Sequence, residues 1–144
     1  MSRRDIQTGD LFTVPQPAAP LPGSMDFRAT LSHLVSEMLR NAGADRHAIA
    51  ADASRLTGHT VSKYMLDAYS AESREEFNLP LWLVPAIETV CGSYDVTNWL
   101  AGVRGARLLI GREALSAELG RISRQKQELQ DQERALKEQI RRTR

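Results

Sequence analysis

Residues 45–71, with the sequence DRHAIAADASRLTGHTVSKYMLDAYSA, decide the fold of this chain. Asp45 is a favourable helix N-cap, and Gly58 lies where a helix can end in a left-handed turn. The inward positions between them are Ile49, Ala50, Ala53 and Leu56. A second helix is predicted to start at a Thr60 cap, with inward positions at Val61, Met65, Leu66 and Tyr69. The stretch therefore predicts a helix, a glycine turn and another helix.

A further helix is predicted before this stretch, over residues 26–42. Its cap is Ser24 or Asp26, and Gly43 provides the stop. Six apolar residues with helical spacing form one stripe on it: Phe27, Leu31, Leu34, Val35, Met38 and Leu39.

Two more helices are predicted after the charged connector at residues 72–78. The fourth helix follows Asn78 and Pro80, a typical start signal, and Pro85 is expected to kink or separate its first turn. A fifth, short helix is predicted from a cap at Asp95. The first 24 residues carry four prolines and are expected to form a disordered or extended arm.

The C-terminal segment has a seven-residue repeat. Leu108, Leu115, Ile122, Leu129 and Leu136 occupy the d positions, and Arg112, Leu119, Lys126, Glu133 and Ile140 occupy the a positions. This pattern predicts a coiled-coil helix over residues 106–142. A lone helix with so narrow a stripe is marginal in water, so pairing with a second copy is expected; the alternative is a solvated helix that folds back on the domain. The predicted dimer contacts are Leu108, Leu115, Leu119, Ile122, Leu129, Leu136 and Ile140.

Charged residues at the a positions weaken a parallel pair of such helices. Both an antiparallel pair and a short, fraying coil therefore stay open.

Charge is divided unevenly along the 144 residues, although the net charge is only +1. Residues 26–100 hold six basic and ten acidic side chains, whereas residues 101–144 hold eleven basic and six acidic ones. The single cysteine, Cys91, fits a reducing cytoplasm, and no apolar run is long enough to suggest a membrane span or a secretory signal. We therefore expect a cytoplasmic protein with an acidic domain and a basic tail.

Motifs that carry catalysis or bind cofactors are absent from the sequence. His33, His47 and His59 are too scattered to form a metal site, and Cys91 is predicted to be a core residue. We therefore expect no enzyme activity, no metal and no cofactor.

Three phrases carry a family resemblance. IAADA (49–53) and TVSKYMLDAYSAE (60–72) resemble the second and third helices of repressor-like domains, and NLPLWLVPAIETVCGSYDVTNWLA (78–101) resembles the fourth and fifth. Over about residues 30–102 the chain resembles small phage and prophage regulators of the Cro/CII-type helix-turn-helix class. This resemblance implies an all-α chain, with a compact five-helix repressor-like domain over 25–102 and the coiled-coil helix after it.

The resemblance also implies a contact with double-stranded DNA. His59, Thr60, Ser62, Lys63 and Tyr64 would face the major groove, with Asp67 at its edge. The basic residues expected to reach phosphates from outside that helix are Arg46, Arg55, Arg104 and Arg107.

Two hypotheses follow. The first is a phage- or prophage-type DNA-binding regulator that acts as a homodimer through its coiled coil. The alternative is a helical adaptor that binds a replication, transposition or host regulatory protein without contacting DNA. Asp10-Leu11-Phe12, in the N-terminal arm, faintly resembles peptides that bind the bacterial sliding clamp and is a candidate contact for such a partner; otherwise Phe12 is expected to pack on its own domain.

Overall fold

The structure, a computed structural model, describes residues 14–143, and these contain helices but no strand. The Asp10-Leu11-Phe12 motif lies outside the described residues. The chain divides into two compact units, one ending at Leu108 and one beginning at Leu109. The all-α prediction is confirmed. The helices are α1 Arg28–Asn41, α2 Arg46–Thr57, α3 Lys63–Tyr69, α4 Val84–Cys91, α5 Asp95–Val103 and α6 Arg112–Arg142, and a 3-10 turn, Leu81–Leu83, precedes α4.

The first unit is built on one apolar core to which α1–α5 contribute. α2 packs against α3 and α4, and α1 packs against α3, α4 and α5. Most of the predicted inward residues are buried, but Leu56 is 47% exposed, which contradicts its predicted inward position. The core residues are Val35, Met38, Leu39, Ile49, Ala50, Ala53, Val61, Leu66, Leu79, Leu83, Val84, Ile87 and Val96. Each large aliphatic side chain buried here contributes about 1.5–3 kcal/mol.

Helix α1 starts two residues later than predicted and is tied to the connector before α4. Asp26 accepts a hydrogen bond from the backbone N–H of Arg28 (3.3 Å). The Asn78 side chain donates to the carbonyl of Arg28 (3.0 Å) and to the hydroxyl of Ser32 (3.1 Å). Asn78 therefore joins α1 to the connector and does not start a helix.

The start of α4 follows the proline prediction. Leu81–Leu83 form a separate 3-10 turn, and Pro85 lies in the first turn of the α-helix that follows. Gly92 ends α4 with a φ of 63°, in the left-handed region that glycine adopts without strain.

Helix α5 is capped from α4, and the predicted Asp95 cap is wrong. The Glu88 side chain, which is buried, accepts hydrogen bonds from the backbone N–H of Thr97 (2.9 Å) and from its hydroxyl (2.6 Å). Asp95 is the first helical residue, and its own N–H donates to the Ser93 hydroxyl (3.0 Å). A carboxylate at a helix N-terminus is stabilised by the free N–H groups there, which explains a buried acid on the core side of α4.

The described part of the N-terminal arm runs alongside the end of α5. Pro17 forms an isolated antiparallel bridge with Arg104, and the N–H of Ala18 donates to the carbonyl of Val103 (2.9 Å). Gly105 has a φ of 72°, and a Cβ on it would lie 2.6 Å from the backbone nitrogen of Pro17. Only glycine permits so close an approach of these two backbone segments.

Helix α6, in the second unit, is 31 residues long, and no residue of it is buried. It begins at Arg112, six residues later than predicted, because Gly111 precedes it with a φ of 59°. Leu108 belongs to the first unit and lies outside the helix, so its predicted place in the coiled-coil seam is wrong. None of the described helices is long and apolar enough to cross a membrane.

Candidate nucleic-acid interface

Two hydroxyls hold the connection between α2 and α3. The Ser54 hydroxyl accepts a hydrogen bond from the N–H of Val61 (2.8 Å) and lies within hydrogen-bond distance of the carbonyls of Ala50 and Val61. The Thr57 hydroxyl accepts from the N–H of His59 (3.2 Å). With Gly58 in the left-handed conformation, these bonds give a five-residue connection over residues 58–62, and its fourth residue, Val61, is buried.

The helix that follows starts later than the sequence predicts. Ser62 is its N-cap, and the Ser62 hydroxyl accepts a hydrogen bond from the N–H of Met65 (3.2 Å). Thr60 was predicted as the cap, and this is wrong because Val61, whose N–H is bonded to the Ser54 hydroxyl, separates Thr60 from the helix. Thr60 is instead an exposed residue of the connection.

α3 presents one polar face to solvent. Leu66 and Ala68 are buried, whereas Tyr64 is 68% exposed and Lys63 and Asp67 are partly exposed. The Arg74 guanidinium lies 5.3 Å from the centre of the Tyr64 ring, within cation–π distance.

A three-residue ion-pair network crosses this face and involves two of the predicted DNA contacts. The Arg46 guanidinium lies 2.6 Å from one carboxylate oxygen of Asp67, and the Lys63 ammonium lies 2.7 Å from the other. Arg46 also donates to the Ser70 hydroxyl (2.9 Å). The hydrogen bonds from Lys63 and, secondarily, from Arg46 lower the pKa of Asp67 below its ordinary value, despite an opposing effect of burial. Asp67 was predicted only at the edge of the groove-facing surface, but it lies between these two cations.

The other basic side chains of residues 26–100 also have intramolecular partners. Arg74 lies over Tyr64, and the three remaining pairs are Arg28 with Asp26, Arg40 with Glu37, and Arg55 with Asp52. Five of the six basic side chains of this region are therefore paired with a carboxylate, and the sixth, Arg74, lies over an aromatic ring.

Arg104 and Arg107 differ from these cations. Both are exposed, and neither forms an ion pair with any residue that the structure describes. They lie after α5, in the segment that precedes α6. The basic side chains among the predicted DNA contacts are thus of two kinds. Those on α2 and α3 are bonded to carboxylates of the same domain, and those after α5 form no ion pair with any described residue.

A shallow depression of about 610 Å³ connects α2 to the start of α3. It brings together three of the predicted contacts, Ser62, Lys63 and Tyr64, and includes His47, which the sequence analysis did not assign to the site. His47 lies three and four residues before the lining residues Ala50 and Ala51, so helical spacing could have placed it on the same face of α2. The full lining is His47, Ala50, Ala51, Val61, Ser62, Lys63, Tyr64 and Asp67.

His59 is directed to a different neighbour. Its ring lies 5.9 Å from the Trp82 ring, centre to centre, in an edge-on arrangement. Arg55 is on α2, with Asp52 one turn before it. Neither residue lines the depression, so His59 and Arg55 lie beside the main cluster of predicted contacts and not within it.

Reactive chemistry is not favoured at Cys91. The side chain packs against the core, and burial, with smaller effects of Asp95 and Glu88, raises the pKa of the thiol to about 11. At neutral pH the group is a thiol, which is a poor nucleophile.

Among residues 14–143, no cluster of histidine, cysteine and acidic side chains could hold a metal ion. Comparisons with protein-family models, curated proteins and solved structures gave no match to this chain.

Proposed function

We propose that the chain is a DNA-binding regulatory protein of the phage or prophage type, acting as a dimer through α6. The observation that carries the proposal is the exposed start of α3, which presents Thr60, Lys63 and Tyr64 from a connection pinned to α2 by Ser54. A helix held rigidly on a second helix, with a polar face outward, is the element that helix-turn-helix proteins insert into a major groove.

The charge arrangement sets how this surface would bind. Phosphate contacts supply most of the non-specific affinity for DNA, yet Arg46 and Lys63 are each bonded to Asp67. A phosphate that contacts either cation must compete with that carboxylate. Arg104 and Arg107 have no such competitor among the described residues and would therefore contribute more to binding.

Dimerisation compensates for the low charge of a single domain. Linking two weak binding units raises the overall affinity without new contacts. α6 supports this part of the proposal because its apolar heptad residues from Leu115 to Ile140 are all at least half exposed in the single chain.

Fluorescence anisotropy tests the proposal with a labelled duplex taken from the DNA upstream of the coding sequence, at low salt. We expect micromolar binding that weakens steeply with added salt. Tyr64→Ala should weaken binding by about tenfold, since a contact with base edges contributes about 1–3 kcal/mol. Arg40→Ala is the matched control, because Arg40 lies on α1 and pairs only with Glu37. Absence of binding by a folded dimer would refute a DNA role.

A second candidate, the protein-binding adaptor, is favoured by the apolar surface beside the connection. Trp82 is 55% exposed and contacts His59, and Phe77 and Leu81 are exposed on the segment that leads into α4. Exposed aromatic side chains are enriched where proteins contact each other. Capture of a protein from nuclease-treated lysate by the wild type, but not by a Trp82→Ala variant, would favour this function over DNA binding.

A further inference from the structure

The exposed seam of α6 shows features that specify how two copies pair. Its d positions are Leu115, Ile122, Leu129 and Leu136, all exposed. Its a positions comprise two apolar residues, Leu119 and Ile140, and three charged ones, Arg112, Lys126 and Glu133. The residues flanking the seam are mostly serine and glutamine, so the charges at a are those that distinguish one orientation from the other.

A depression of about 450 Å³ marks the middle of this seam. Its six lining residues are Ile122, Gln125, Lys126, Leu129, Gln130 and Glu133. In heptad terms they form two successive four-residue holes that share Lys126 and Leu129. The first hole is completed by Ile122 and Gln125, and the second by Gln130 and Glu133. Holes of this composition receive one side chain each from a facing helix.

A parallel pair places each residue opposite its own copy. Arg112 would then face Arg112, Lys126 would face Lys126, and Glu133 would face Glu133. Like charges that directly face each other across a helix pair are unfavourable, and this orientation has three such layers.

An antiparallel pair places a positions opposite d positions. When Lys126 lies opposite the partner's Leu129, the two 31-residue helices overlap along all but the first residue of each. Leu115 then meets the partner's Ile140, and Leu119 meets the partner's Leu136. With their symmetry mates these make four wholly apolar layers, two near each end of the pair.

The same register brings opposite charges together at the centre. The partner's Lys126 enters the second hole, whose rim carries Glu133 on one side and this chain's own Lys126 on the other. Lys126 forms no ion pair with any described residue of its own chain, whereas Glu133 is bonded to Lys137 one turn away. In this register the unpaired Lys126 ammonium of each copy therefore lies near the Glu133 carboxylate of the other copy.

We infer that α6 pairs antiparallel with a second copy of the chain, with Lys126 opposite the partner's Leu129 and close to the partner's Glu133. This inference rests on the dimer of the proposed function and specifies its geometry. At 1.5 Å per residue, the two N-terminal ends of α6 lie about 45 Å apart along the pair. In a parallel pair they would lie side by side.

Distances between labels test the orientation in the full-length protein. Ala117→Cys and Ala135→Cys, each made with Cys91→Ala, put labels on the outer face of α6 and leave the seam unchanged. In the antiparallel pair, two copies labelled at residue 117 are about 32 Å apart along the axis, and a label at 117 lies within about 5 Å axially of one at 135 on the partner. Labels at residue 117 that are level along the axis would overturn the orientation but leave the dimer intact. A monomer in sedimentation would overturn both the orientation and the proposed dimer.

Charge exchange tests the register. Lys126→Glu should raise the dimer dissociation constant by about tenfold, since it sets carboxylates at 126 and 133 against each other. The combined Lys126→Glu and Glu133→Lys variant should restore the wild-type value to within about threefold. Lys137→Gln is the control for the intrahelical bond that Glu133→Lys breaks. A wild-type dissociation constant for Lys126→Glu would overturn the orientation, because in a parallel pair each single reversal only exchanges one like-charged layer for another. A combined variant as weak as Lys126→Glu alone would overturn the register.

Discussion

α1 and α6 are both amphipathic helices, but they differ in what covers their apolar stripes. On α1, Val35, Met38 and Leu39 are at most 2% exposed, since α3, α4 and α5 pack against that helix. On α6, the equivalent side chains are from 50% to 74% exposed. Periodicity alone therefore predicts that a helix has an apolar face, whereas the rest of the chain decides whether that face is buried.

The same contrast holds for charge. Every cation of residues 26–100 has an intramolecular partner, whereas Arg104, Arg107, Arg112, Arg124, Lys126 and Arg141 have none among the described residues. The domain thus satisfies its own groups, and the segment after α5 leaves groups available to another molecule. The unpaired cations are therefore concentrated after α5.

The largest effect is expected from polar substitutions on α6. Leu119→Asp combined with Leu136→Asp should convert a dimer into a monomer, with a loss of at least about 4 kcal/mol of association free energy, or about a thousandfold in dissociation constant. Sedimentation equilibrium measures the mass. Ala117→Asp with Ala135→Asp, on the outer face of the same helix, should leave the dimer unchanged. A persistent dimer in the seam variant would mean that α6 is not the contact.

A core truncation sharpens the comparison from the other side. Ile87→Ala, at a fully buried position on α4, should lower the free energy of unfolding of the first unit by about 2–5 kcal/mol. Leu129→Ala removes a similar side chain from α6 and should leave that free energy within about 0.5 kcal/mol of wild type, when measured at a concentration that keeps the protein monomeric. Urea unfolding followed by tryptophan fluorescence gives both values, since Trp82 and Trp99 lie in the first unit. Equal losses for the two variants would contradict the comparison.

The smallest effect concerns Asp67. Asp67→Asn should cost about 0.5 kcal/mol of stability, because its bonds to Arg46 and Lys63 are partly exposed to solvent. It should also strengthen DNA binding by a few-fold, since the two cations lose their competitor. Anisotropy and urea unfolding of the same preparations measure both changes.

The pH dependence of that cost follows from the pKa of Asp67. Since folding lowers this pKa, the contribution is complete above the ordinary carboxyl pKa and is lost as pH falls through the lowered value. Wild type and Asp67→Asn should therefore differ at neutral pH and converge in acid. A difference that grew on acidification would show that Asp67 is not the stabilised carboxylate.

Local rules predicted the parts of the fold that local hydrogen bonds control. Asp45 caps α2 by accepting a hydrogen bond from the N–H of His47 (3.2 Å), and Gly58 ends that helix with a φ of 70°. The separate turn before Pro85 was predicted for the same reason. Thr60 and Ser62 are both favourable caps by residue type, so the choice between them depended on Ser54, which holds Val61 from another helix.

The candidate interface was predictable in composition but not in electrostatics. Ser62, Lys63 and Tyr64 could be assigned to one surface because they are successive residues at the start of a helix. The pairing of Arg46 with Asp67 spans 21 residues, and no spacing rule connects two residues so far apart in the chain. Whether a lysine or an arginine is available to a phosphate therefore had to come from the packing of α2 against α3.

By itself, the sequence determined the helical class, most of the core residues and the heptad stripe of α6, because each depends on side-chain periodicity within one segment. Only the tertiary structure decided that Glu88 caps α5 and that Asn78 ties down α1. Both outcomes depend on side-chain hydrogen bonds that join one helix to another helix or to a connector. The hydrogen-bond partner of such a polar group lies on another element, so its role is set only when the helices have packed together.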